Sequence, residues 1–133
     1  MFKRQLLIYT TLFIITFLMG CSDSALNEIE LSSSVNGKTV YATRGQIFVI
    51  TLDVHVDGGF NWNWQNEEDI KNITLVDINY TSPEGEIDGG MAKQIFRFKA
   101  KKTGQCFITL VESRSWEADF KPINTVQFRV RVR

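Results

Sequence analysis

The side chains of this chain that could do chemistry are few. It has one histidine, His55, and two cysteines, Cys21 and Cys106. A thiol next to an imidazole is a nucleophile with its base, so Cys106 and His55 are the first pair to weigh. Cys106 falls in an alternating apolar run with inward parity, whereas His55 abuts the turn Asp57-Gly58-Gly59. The reading that follows is a buried structural thiol, not a dyad. One histidine and no clustered thiols leave no metal-ligand set. Glu67-Glu68-Asp69 is a dense carboxylate run, but it reads as a solvated helical turn, and nothing places two of its acids around a cleft. No nucleophile, base and orienting group can be assembled, so the chain is expected not to be an enzyme and to need neither metal nor cofactor.

Binding is better represented than catalysis. Three short stretches hold the unusual residues. The first is His55-Val56-Asp57-Gly58-Gly59-Phe60, running on to Trp62; the second is Gly89-Gly90-Met91-Ala92, leading into Phe96-Arg97-Phe98; the third is Arg114-Ser115-Trp116, followed by Glu117. Paired glycines permit positive φ and close approach of backbone to a partner. Met91 is an adaptable apolar contact. Arg and Trp are the residue types most enriched in binding hot spots. An exposed Trp116 implies a partner; the alternative is an indole folded back over the sheet edge with Arg114 stacked on it.

The elements that must position these stretches read as strands. Period-two alternation puts Phe48, Ile50, Leu52 and Val54 on one face of 47–54, and Phe96, Phe98 and Ala100 on one face of 94–100. Cys106, Ile108 and Leu110 share a face in 105–112; Val126, Phe128, Val130 and Val132 do so in 126–132, with Arg129, Arg131 and Arg133 outward. Residues 39–42 and 73–80 supply two more strands, and 66–71 at most one helical turn. Trp62 and Trp64 share a face, with one of them expected in the core. Strands at this spacing without βαβ alternation predict an all-β antiparallel sandwich.

The order and spacing of the loops resemble the chagasin-type inhibitors of papain-like cysteine proteases. That family carries an Asn-Pro-Thr-Thr-Gly-aromatic-x-Trp loop, a Gly-rich loop before a Phe-x-Phe strand, and an Arg-Pro-Trp loop. The resemblance implies an Ig-like antiparallel β-sandwich with three binding loops at one end. It also implies a reversible, competitive inhibitor whose loops occlude the active-site cleft: the first over the catalytic centre, the second on the unprimed side, the third on the primed side. Aligned on Gly59, the family's Asn-Pro-Thr-Thr falls on His55-Val56-Asp57-Gly58, which removes the proline and both threonine hydroxyls. Asp57 would then meet a thiolate–imidazolium pair, either pairing with the imidazolium or repelling the thiolate. Ser115 stands where the family has proline, so the third loop is less preorganised. The rival reading is a non-enzymatic cell-envelope module that presents Phe60 and Trp116 to a glycan or a partner protein.

The N-terminus reads as targeting. Lys3 and Arg4 precede an apolar run from Leu6 to Leu18, too short to span a bilayer as an ordinary helix. Leu18-Met19-Gly20-Cys21 resembles the bacterial lipoprotein processing site, which implies lipidation of Cys21. The expected organisation is a signal peptide over 1–20, a lipidated cysteine and flexible tether over 21–36, and the sandwich over 37–133. The expected location is the bacterial cell envelope, lipid-anchored at the outer membrane or a periplasmic face. Lys3 and Arg4 leave with the signal, so the 15 basic side chains fall to thirteen against 15 acidic ones, net −2. That balance gives no global pull toward nucleic acid. A lipidated Cys21 leaves Cys106 without an internal disulfide partner. The expected partners are a papain-like protease and a membrane, and the expected state is a monomer.

Overall fold

The computed structural model describes residues 27–82, 91–117, 119 and 121–133. Eight strands are formed: β1 (Ile29–Ser32), β2 (Thr39–Ala42), β3 (Ile47–His55), β4 (Asn61–Trp64), β5 (Ile73–Thr81), β6 (Met91–Ala100), β7 (Gly104–Ser113) and β8 (Asn124–Val132). They build two four-stranded sheets, ordered β1-β3-β6-β5 and β2-β8-β7-β4. The only helical pieces among the described residues are single 3-10 turns at Ser33–Val35 and Glu67–Asp69. This is the expected sandwich, and each alternating run is a strand within one to three residues of its expected bounds.

The apolar faces meet as the alternation dictates. Phe48, Phe96, Phe98 and Phe128 are all buried. Phe98 is the hub: it stacks on Phe48 (5.3 Å between centroids) and on Phe96 (5.9 Å), and receives Trp64 edge-on at 5.1 Å. Offset and edge contacts of this kind add to area burial, because aromatic quadrupoles favour them. Trp62 is buried and Trp64 packs partly buried on the same core.

Two expectations need correction. The tether was expected to reach residue 36, yet Ile29–Ser32 pairs in parallel with β3, and Val35 is buried in the core. The chain then crosses to the other sheet, where Thr39–Ala42 pairs in parallel with β8. Ile29 and Leu31 pack on the core while Glu30 and Ser32 face out, a strand of four residues whose partner lies far along the sequence. The sandwich is therefore antiparallel except at these two edge pairings. The other correction concerns His55, Met91 and Ala92, expected in loops: His55 ends β3, and Met91 and Ala92 open β6 opposite His55 and Val54.

The registers place the two ends. His55, Met91, Ser113 and Asn124 lie at strand ends around one pole. The turn 43–46, the approach to β5 through Asn72, the turn 101–103 and Arg133 lie around the other. Cys106 is near the second pole and His55 at the first, so the sandwich separates the pair that chemistry would have needed together.

Candidate functional site

The first pole is where the loops converge. After β3 the chain turns through Val56–Gly59, closed by Gly59 N–H donating to Val56 O at 3.1 Å. Gly58 and Gly59 hold φ of 85° and 77°, the left-handed region that a side chain disfavours. After β7 a second tight turn is closed by Glu117 N–H donating to Arg114 O at 3.2 Å. The guanidinium of Arg114 lies over the ring of Phe60, 4.6 Å from its centroid, and meets Glu117 Oε1 at 3.2 Å. Arg114 thus stacks on the first loop.

Trp116 crosses to the first loop as well. A Cβ built on Gly59 would overlap the edge of its indole at Cη2, and one on Gly58 would sit 3.0 Å from Arg114 Nη2. Glycine is required here twice over, for the backbone conformation and for the space. The indole still leaves 65% of Trp116 exposed. Loops one and three therefore form a single ridge, built on two glycine–side-chain contacts and one cation–π stack.

Of the second loop, Gly89 and Gly90 lie outside the described residues. Met91 is exposed at the start of β6, whereas Ala92 is 4% exposed and points into the core, so its side chain is scaffold and not contact surface. Val56, Met91 and Trp116 give this pole one exposed apolar side chain from each stretch. Ile123 adds a fourth that the sequence did not single out; its N–H donates to Glu112 O at 2.9 Å. Cys21 and the leader also lie outside the described residues.

Two buried polar side chains hold the pole in place, and neither was anticipated. Glu112 is fully buried. Its Oε1 accepts from His55 N–H at 2.8 Å and meets His55 Nδ1 at 2.9 Å, while Oε2 accepts from Asn124 Nδ2 at 2.7 Å. One carboxylate so ties the ends of β3, β7 and β8, and an unpaired charge in that position would be costly. Gln94, 1% exposed, accepts from Trp62 N–H at 2.8 Å and donates to Trp62 O at 2.8 Å, joining β6 to β4 across the sandwich. The Trp62 indole donates to Asp53 O at 2.8 Å. The signal in the sequence was parity: Gln94 lies in phase with Phe96 and Phe98, and Glu112 with Ile108 and Leu110.

Nothing here assembles catalytic or metal chemistry. Among the described residues no group of three His, Cys, Asp or Glu side chains could hold a metal. Burial pushes the Cys106 thiol above its ordinary value, with a hydrogen bond from Asn72 opposing, the opposite of an activated nucleophile.

The sequence profile of the chagasin family peptidase inhibitor I42 matches residues 41–132. This chain belongs to the chagasin family. The matched span contains all three loop stretches. The family consists of protease inhibitors and not of enzymes. A cysteine protease inhibitor of Entamoeba histolytica shares the fold at a TM-score of 0.68 and 22% identity, covering 80% of this chain and 96% of that one. Amebosin, solved in solution, does so at 0.67 and 21%, covering 80% and 99%. Identities this low speak for the fold. No curated protein matches the chain by sequence alone. Within the matched span, Glu112 grips His55 through backbone and ring together.

Proposed function

We propose that this chain is a reversible, competitive inhibitor of papain-like cysteine proteases, and that the ridge of loops one and three, with Met91 beside it, fills the active-site cleft. The observation that carries this reading is Trp116: a tryptophan 65% exposed, yet fixed against Gly59 and flanked by the Arg114–Phe60 stack. A large aromatic held rigid and exposed loses little conformational entropy on binding, which is what a hot-spot anchor requires. Exclusion of substrate needs an interface of about 1,600 Å² in total, a size that three neighbouring loops can supply. Inhibition is steric, and the inhibitor is not cleaved. The carboxylate of Asp57, at the tip of the first loop, faces the catalytic pair and tunes the choice of target.

Titration of residues 22–133 against papain and a panel of bacterial cysteine proteases, with a fluorogenic substrate, tests the proposal. Competitive inhibition at submicromolar concentration supports it. No inhibition across the panel, together with retention on a glycan matrix, would transfer the ridge to a cell-envelope binding role.

The leader and Cys21 complete the proposal: a monomeric domain held by lipid in a bacterial cell envelope. Metabolic labelling with a clickable fatty acid checks it, since label should follow Cys21 and vanish in Cys21→Ala.

A further inference from the structure

The two poles of the sandwich differ in charge. At the loop pole, Lys93 is held by Asp53 at 2.9 Å and Arg114 by Glu117, and Asp57 and Asp119 add further acid. At the opposite pole every connection carries cations. The β2–β3 turn holds Arg44, the approach to β5 Lys71, the β6–β7 turn Lys101 and Lys102, and β8 leads out through Arg133. All five are exposed, and among these connections only the β4–β5 one holds acids, Glu67, Glu68 and Asp69 ahead of Lys71. Lys99 and Arg131 stand exposed one step above them. None of these seven meets a carboxylate among the described residues. The nearest acids are Glu28, which pairs with Arg97 at 2.7 Å, and the 3-10 turn Glu67–Asp69, where Lys71 Nζ donates to Glu68 O at 2.6 Å.

Two further observations select the partner. Tyr41 is exposed at this pole with the Arg133 guanidinium 5.1 Å from its ring centroid; an amphipathic aromatic among long basic side chains suits the headgroup layer of a bilayer. The chain also enters the fold here. Asn27 O accepts from the side chain of Gln46, in the Arg44 turn, at 2.7 Å. Cys21, the proposed lipidation site, stands six residues before Asn27. On that anchor reading, the membrane lies nearest the basic pole and farthest from Trp116.

We infer that the pole formed by Arg44, Lys71, Lys101, Lys102 and Arg133 docks on anionic phospholipid headgroups, so that the domain stands on the membrane with its loops directed away. Such contact is electrostatic and shallow: clustered Lys and Arg side chains attract an anionic leaflet additively within a Debye length. The inference is independent of the protease reading, because it concerns the other end of the molecule.

The test uses residues 27–133, which hold all eight strands, with circular dichroism to confirm the folded sandwich. Co-sedimentation is measured with vesicles of phosphatidylcholine alone and of phosphatidylcholine mixed with phosphatidylglycerol. Binding is expected only to the mixed vesicles and is expected to disappear in high salt. Lys101→Glu and Lys102→Glu should each weaken it about fivefold or more. Lys121→Glu, an equal change of net charge on the connection leading to Ile123 at the loop pole, should leave it unchanged. Equal binding to neutral vesicles, equal loss in Lys121→Glu, or tighter capture by heparin than by anionic vesicles would each overturn the inference.

Discussion

The indole of Trp116 occupies the space that a side chain on Gly59 would need, so the third loop is seated on the backbone of the first. Gly59→Ala brings two penalties, a methyl group overlapping the edge of the indole and a left-handed φ of 77°. A strained position of this kind costs about 1–3 kcal/mol. The expected result is a modest fall in melting temperature and a larger loss of inhibition, as Trp116 leaves its seat. A lower melting temperature with inhibition unchanged would show that the two loops act separately.

Trp116→Ala isolates the anchor. Because the ring is mostly exposed, unfolding stability should change by about 0.5 kcal/mol or less. Inhibition should weaken by about 2 kcal/mol or more, as hot-spot truncations do. Unchanged inhibition constants would sink the role assigned to this residue. Arg114→Ala removes the stack on Phe60 and should give a smaller loss, measured in the same assay.

Glu112 is the support on which the first loop rests. Glu112→Ala strands the N–H and ring of His55 and the amide of Asn124, with an expected cost of about 3 kcal/mol in urea unfolding. Glu112→Gln keeps the shape but replaces one acceptor by a donor, and should cost less. Equal stability of all three proteins would mean that the network contributes nothing.

Gln94→Leu tests the clamp across the sandwich. It keeps an apolar side chain in place while leaving the N–H and C=O of Trp62 unsatisfied in the core. About 2 kcal/mol is expected from two lost buried hydrogen bonds. Chemical denaturation measures it, and Gln94→Glu separates shape from pairing.

Cys106 offers a pH test. Burial raises its thiol, and the Asn72 hydrogen bond only partly offsets this. Alkylation in a Cys21→Ser background should be slower than for a free thiol, with its inflection above the ordinary thiol range, and urea should restore the normal rate. The sign for stability follows: the unfolded thiol releases its proton first. Stability is therefore full below the unfolded value and is lost as pH rises through the folded one. A rate equal to that of a free thiol in the native protein would refute the burial.

The strands were legible because a two-sided sheet imposes strict alternation, and runs such as Val126–Val132 leave no second way to bury their apolar residues. The glycine pairs and the Arg-Ser-Trp stretch were legible as binding loops for a similar reason, since those residue types carry their constraints locally. Other features came only with the tertiary structure. Ile29–Ser32 read as tether because four residues alternate too briefly, and its partner β3 is remote. Gln94 and Glu112 had inward parity, but parity does not say that a polar side chain at a strand end will find donors from other strands. The near-neutral charge likewise concealed two unlike poles. Sequence order interleaves Arg44, Asp57, Lys102 and Glu117, and only the up-and-down course of the strands puts Asp57 and Glu117 at the loops and Arg44 and Lys102 at the far end. Local chemistry fixes what each residue can do; the packing of distant segments fixes which residues do it together.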